Sequence, residues 1–133
     1  MMKAGDTFLV PDRFGVQHLY VVLSDPQKLP DQRFPEHAYL VMLSTREPHK
    51  EDCCILRPGD HSFITHETIV VYKIPPAQLL TLSVLLKMKE RGELLEREPV
   101  SSEIQGRMRV GYQKSQYQRD DVKQFLFRQG AID

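Results

Sequence analysis

Apolar residues fall in two rhythms along this chain, and the change comes at Pro75-Pro76. Before it, short apolar runs are separated by turn residues. The runs are Thr7 to Val10, His18 to Leu23 (HLYVVL), Ala38 to Leu43 (AYLVML), Cys53 to Leu56 (CCIL) and Thr68 to Tyr72 (TIVVY). They are rich in β-branched and aromatic residues, which suit a pleated surface, so strands are expected there. Pro11-Asp12, Phe14-Gly15, Asp25-Pro26, Pro30-Asp31 and Arg57-Pro58-Gly59-Asp60 punctuate the chain between them. Several runs are continuous rather than alternating. That predicts burial on both faces, as when short strands close into a small barrel with a helix or partner outside.

After Pro75-Pro76 the period becomes helical. Leu79, Leu80, Leu82, Leu85, Leu86 and Met88 predict a helix from about Pro76 to Arg91, with Pro76 in its first turn and Gly92 at its stop. Ser101 or Ser102 is placed to cap a second helix, in which Ile104 and Met108 share a face; Ser102 and Gln105 have capping-box spacing. A third helix, Asp120 to Gln129, would turn Val122, Phe125 and Leu126 inward and stop at Gly130. The predicted class is α+β: a small β-barrel over residues 1–76, then a helical extension over residues 77–133 that packs on or beside it.

The length of 133 residues allows one domain, or a small domain with an appendage. Eighteen Lys and Arg balance eighteen Asp and Glu, so no global charge draws the chain to nucleic acid or an anionic membrane, although a local basic patch is compatible with this. No run approaches the roughly twenty apolar residues needed to span a bilayer. In MMKAGDTFLVPDRF, Gly5, Asp6 and Asp12 interrupt what would be the apolar core of a signal peptide. A cytoplasmic protein without membrane partners is expected. Cys53 and Cys54 are adjacent, and on a strand they would point to opposite faces. Two reduced thiols, at least one in the core, suit the cytosol.

The stretch GDHSFITHET, Gly59 to Thr68, concentrates an aspartate, two histidines and several hydroxyls. Asp60, His61 and His66 are metal-ligand types, but adjacent cysteines and H-x4-H do not follow zinc spacing, and no carboxylate cluster accompanies Asp60. No metal and no cofactor are expected; a metal-dependent enzyme using those three residues is the minor alternative. There is no G-x-S-x-G elbow and no glycine-rich phosphate cradle. A thiol–imidazole pair would draw its cysteine from CCIL, which reads as core. Metal-free RNA cleavage needs a base for the ribose 2′-hydroxyl, an acid for the leaving oxygen and donors for the phosphate. His18, Ser44, Thr45, Arg46, His61, Thr65 and His66 supply those groups at strand ends or turns. The same residues also have structural uses: a half-buried His18, and Asp60, Thr65 and Thr68 bonded to turn backbones.

The order of these pieces resembles the PemK/MazF-like toxins of toxin–antitoxin systems. Gly5-Asp6 leads into TFLV as that family's Gly-Asp pair leads into its first strand. HLYVVLS, ending at Ser24, stands where the family has a strand of the form Arg-Pro-aliphatic run-Ser. AYLVMLST closes on Thr45, as the family's third strand closes on a threonine, and ETIVVYKIPPAQLL occupies the place of the Asp-Ser-aliphatic strand that leads into its final helix. The resemblance lies in order and spacing, with few identities, over just over half the chain. It implies a small SH3-like barrel of about five to seven strands, often dimeric, that cleaves single-stranded RNA without metal and is opposed by a cognate antitoxin. It also implies catalytic roles for Thr45, at the family's threonine, and His18, at the family's arginine. Imidazole is neither permanently charged nor forked, so His18 would move protons while Arg13 or Arg46 holds phosphate. Ser44, Asp60, His61 and His66 would be auxiliary. The same departure leaves open a non-catalytic SH3-like module that binds a protein partner or RNA through the same groove. Glu93 to Asp133 exceed the family plan. There VSSEIQGRMRVGYQKSQYQR interleaves basic residues with Tyr112 and Tyr117, which suits single-stranded nucleic acid as well as an ordinary solvated helix. The Leu79, Leu82 and Leu86 stripe could meet a partner or pack on the barrel.

Overall fold

The computed structural model describes residues 2–28 and 36–132. Its strands are β1 (Thr7–Pro11), β2 (Gln17–Val22), β3 (Gln27–Lys28), β4 (Glu36–Thr45), β5 (Ile55–Leu56), β6 (Thr68–Val71), β7 (Gln78–Thr81) and β8 (Leu95–Arg97). Its helices are α1 (Leu82–Glu90), α2 (Ser102–Lys114) and α3 (Asp120–Arg128). The chain is α+β, as expected. The turn predicted at Pro30-Asp31 lies outside the described residues.

The strands form an antiparallel sheet in the order β5-β6-β4-β2-β1-β8. β4 is its axis. Along one edge its C-terminal half pairs with β6, Met42 opposite Val71 through Thr45 opposite Thr68, and its N-terminal half pairs with β7. Along the other edge it pairs with β2 and then β3. Among the described residues no pairing joins β5 to β8, so the sheet is open where a closed barrel was expected. The β1 edge is instead taken by β8, with Thr7 opposite Arg97.

The five predicted strands all form, although CCIL contributes only Ile55–Leu56. The helix expected from Pro76 begins later. Gln78–Thr81 form β7, and the Thr81 hydroxyl caps α1 by accepting from the Val84 amide at 3.3 Å. A Leu-Leu pair fits either period, and the N-terminal half of β4 needs backbone partners along that edge. β8 has no apolar signal because its three residues are exposed.

Both faces of the sheet are covered, which explains the continuous apolar runs. On one face Phe8, Tyr20, Val22, Ala38, Leu40 and Met42 pack with Leu85 of α1. On the other, Leu19, Val21, Tyr39, Val41, Leu43 and Tyr72 pack with Met108 and Tyr112 of α2 and Phe125 and Leu126 of α3. Aromatic hydroxyls stitch this second core. Tyr39 donates to the Tyr72 carbonyl at 2.6 Å, and Tyr72 donates to the Met108 carbonyl at 2.5 Å. The Tyr112 ring meets both rings edge-on at 5.7 Å. Burial pushes the Tyr39 and Tyr72 phenols far up, and Tyr112 up to about 12. Gly111 permits the approach of α2: a Cβ there would lie 2.7 Å from Cys54 Cβ and closer still to the Tyr72 hydroxyl. Cys54 is buried and Cys53 half-buried; both thiols are free, and desolvation pushes each up, which keeps them protonated and inert. No helix among the described residues is long and apolar enough to cross a membrane.

Candidate functional site

The site is built where β4 runs out. Thr45 is the last residue of β4, paired with Thr68 at the start of β6, so the chain on either side must turn away. The segment before β6 is shaped by Pro58-Gly59-Asp60. Gly59 takes φ +104°, a left-handed value that favours glycine, and the Asp60 amide donates to the Arg57 carbonyl at 3.0 Å. The Asp60 carboxylate closes the turn by accepting from the Arg57 amide at 2.8 Å, and it meets Arg107 of α2 at 3.4 Å. Asp60 is therefore a turn residue tied to a helix.

His61 is buried and fully used. Its Nδ1 accepts from the Phe63 amide at 3.0 Å, so Nε2 carries the proton and donates to the Glu98 carbonyl at 2.7 Å. Ser62 bonds the Glu98 carboxylate beside it. This histidine clamps the loop to the chain after β8.

His66 is exposed and sits against Thr45. Its Nε2 is 3.0 Å from Thr45 Oγ1, and its Nδ1 is 3.2 Å from Thr65 Oγ1. A hydroxyl can donate or accept, so either neutral tautomer is accommodated. Lys50 comes over the same strand end. Its Nζ donates to Ser44 Oγ at 2.9 Å and to the Thr45 carbonyl at 3.5 Å, and it is 3.4 Å from Glu47. Arg46 is less available, because Glu67 and Asp52 hold its guanidinium at 3.1 and 3.2 Å.

His18 belongs to a different cluster. It lies opposite Val10 on β1, and its Nε2 is 3.0 Å from Asp12 Oδ2. The other Asp12 oxygen accepts the Phe14 and Val16 amides at 2.8 and 3.0 Å and so shapes the β1–β2 hairpin. The bond to His18 is the largest influence holding the Asp12 carboxyl below its ordinary range. Arg13, at the hairpin tip, stacks 4.8 Å over the exposed Phe14 ring. Strand alternation places His18 on the Tyr20 and Val22 face, whereas Thr45 alternates with Leu43 and Val41 toward the other. The same alternation puts Ser44 with Met42 on the His18 face. The structure therefore pairs Thr45 with His66 on one side of the strand end, rests Lys50 on Ser44 and the Thr45 carbonyl at the other, and keeps His18 with Asp12.

Beside Lys50 a groove of about 280 Å³ runs over the floor made by Met42 and Val71, walled by Ser44, Lys50, Lys73 and Tyr117. No motif marks Lys50 or Lys73: one is the single lysine in the polar stretch REPHKED, the other a lone lysine in the apolar run VVYKIPP. Among the described residues no three His, Cys, Asp or Glu side chains are grouped to hold a metal ion. An imidazole bridged to hydroxyls can pass a proton, and an adjacent ammonium can stabilise an anion; the strand end offers both. No family model matches the chain, and neither a curated protein nor a solved structure does.

Proposed function

We propose that this chain is a metal-independent endoribonuclease of the PemK/MazF-like kind, cutting single-stranded RNA at the end of β4. The supporting observation is the 3.0 Å contact between Thr45 Oγ1 and His66 Nε2, with the Lys50 ammonium resting on Ser44 and the Thr45 carbonyl. In this reaction His66 takes the proton of the ribose 2′-hydroxyl. The 2′-oxygen then bonds to phosphorus as the bond to the 5′-oxygen breaks. That leaves a 2′,3′-cyclic phosphate and a 5′-hydroxyl, which takes its proton from solvent. Thr45 and Lys50 stabilise the charge that grows on the phosphoryl oxygens. An SH3-like scaffold belongs to the same proposal; its support is the long β4, which pairs with two strands along each edge. A homodimer, a cognate antitoxin and a cytoplasmic location complete it.

A second reading, binding without turnover, is favoured by His18. It stands at the family's arginine position and is held by Asp12. The two are separated by incubating the purified chain with single-stranded RNA in a chelator. Cleavage to a cyclic phosphate, lost in His66→Ala, supports the nuclease. Binding without cleavage selects the module, and neither binding nor cleavage overturns both.

A further inference from the structure

Tyr112 and Tyr117 lie five positions apart in one basic stretch and have opposite fates. Tyr112 is wholly buried in the second core, whereas Tyr117 is 38% exposed and forms a wall of the groove beside the candidate site. Tyr117 reaches the groove from the α2–α3 connection, and a specific set of bonds holds it there. Glu51, after β4, accepts from the Ser115 hydroxyl at 2.6 Å and from the Gln116 amide at 2.9 Å. The Tyr117 amide in turn donates to the Ser115 oxygen at 3.0 Å. One carboxylate thus fixes the connection against the strand end, and both its oxygens are occupied.

Two lysines, Lys50 and Lys73, line the groove against one carboxylate, Glu51, so its lining carries a net positive charge of one. Lys73 extends over the Tyr117 ring, its Nζ 5.5 Å from the centroid, and has no carboxylate partner among the described residues. Lys50 also lines the groove, and its Nζ is 3.4 Å from Glu47. An aromatic ring with one ammonium over its face and a second in the same groove lining matches a nucleotide: a base can take the place of the Lys73 ammonium on the ring, and its phosphate gives that ammonium a partner. An acidic peptide would use the lysines and leave the ring without a planar partner.

We infer that Tyr117, Lys73 and Lys50 form a nucleotide subsite, in which one base of the single-stranded RNA stacks on Tyr117 and a neighbouring phosphate lies between the two lysines. This rests on the RNA reading above and assigns the C-terminal segment a direct part in holding substrate.

The test is binding of a short, labelled 2′-O-methyl single-stranded RNA, which cannot be cleaved, measured by fluorescence anisotropy at several salt concentrations. Tyr117→Ala is expected to weaken binding by about 5- to 100-fold, the range of one lost base stack, while Tyr117→Phe keeps nearly full affinity. Lys73→Gln is expected to lower the salt dependence by about 0.7 in log–log slope, the loss of one phosphate contact on a single strand. The chain has no tryptophan, so Tyr117→Trp supplies a unique emission that RNA should quench. Wild-type affinity in Tyr117→Ala, equal losses in the Ala and Phe variants, or unquenched emission from a Tyr117→Trp variant that still binds RNA would each overturn the subsite and leave the nuclease proposal standing. A wild-type chain that neither binds nor cuts RNA overturns both.

Discussion

His61 donates from Nε2 to the carbonyl oxygen of Glu98 across 2.7 Å, and this bond joins the loop before β6 to the chain after β8. A histidine from the most chemically loaded stretch of the sequence is thus a buried brace. His61→Ala empties a buried site, leaves the half-buried Phe63 amide without its acceptor, and leaves the Glu98 carbonyl with the Thr7 hydroxyl alone, at 2.7 Å. A loss of about 2–3 kcal/mol in urea unfolding is expected, against about 0.5 kcal/mol or less for the exposed His66→Ala. Equal effects of the two substitutions would refute this division of roles.

Two glycines of α2 give a matched pair. Gly111→Ala forces its methyl into the Tyr72 hydroxyl and Cys54, so it should cost about 1–3 kcal/mol or more by overpacking. Nothing lies within 4 Å of a Cβ at Gly106. Gly106→Ala should therefore stabilise by about 0.4–1 kcal/mol, since it only stiffens the unfolded chain in favour of the helix. Thermal unfolding of both variants checks the sign of each.

For cleavage, His66→Ala should lower kcat/KM by about 100- to 10,000-fold, the usual worth of a proton-transfer group. His18→Ala should cost far less, because Asp12 holds its imidazole away from Thr45. Initial rates on a defined RNA decide the matter, and the reverse ranking would move the chemistry to the hairpin.

Asp12 sets a pH dependence. Its folded carboxyl lies below the ordinary 3.8, chiefly through the His18 bond, so the unfolded chain binds that proton more readily. Stability from this group is complete above the ordinary value and fades as pH falls through the lower folded one. Asp12→Asn keeps an acceptor for the Phe14 and Val16 amides and removes the titration. Its stability-versus-pH curve between neutrality and about pH 3 should lose that part of its acid slope, as followed by urea midpoints.

Much of the fold was legible because local patterning carries it. TFLV, HLYVVL, AYLVML and TIVVY have no credible alternative to strands, and Val122, Phe125 and Leu126 mark one helix face whatever they pack against. Their unbroken apolar character also predicted cover on both faces, which α1 on one side and α2 with α3 on the other provide. QLLT misled because two leucines satisfy both periods, and the free edge of β4 decided between them. β8 was invisible because an exposed edge strand needs only backbone to pair.

The site divides in the same way. The sequence alone determined that histidines, hydroxyls and Arg46 would lie near strand ends and turns, since residue type and turn chemistry are local properties. Only the tertiary structure decided which of them meet. Residues 21 positions apart become the Thr45–His66 pair, and Tyr117 arrives at a groove edged by Lys50 and Lys73. His61 and His66 have the same chemistry five residues apart in one loop. One is spent on Glu98 and the other stands open at Thr45, because a side chain's role is set by the partners that folding brings within about 3 Å of it.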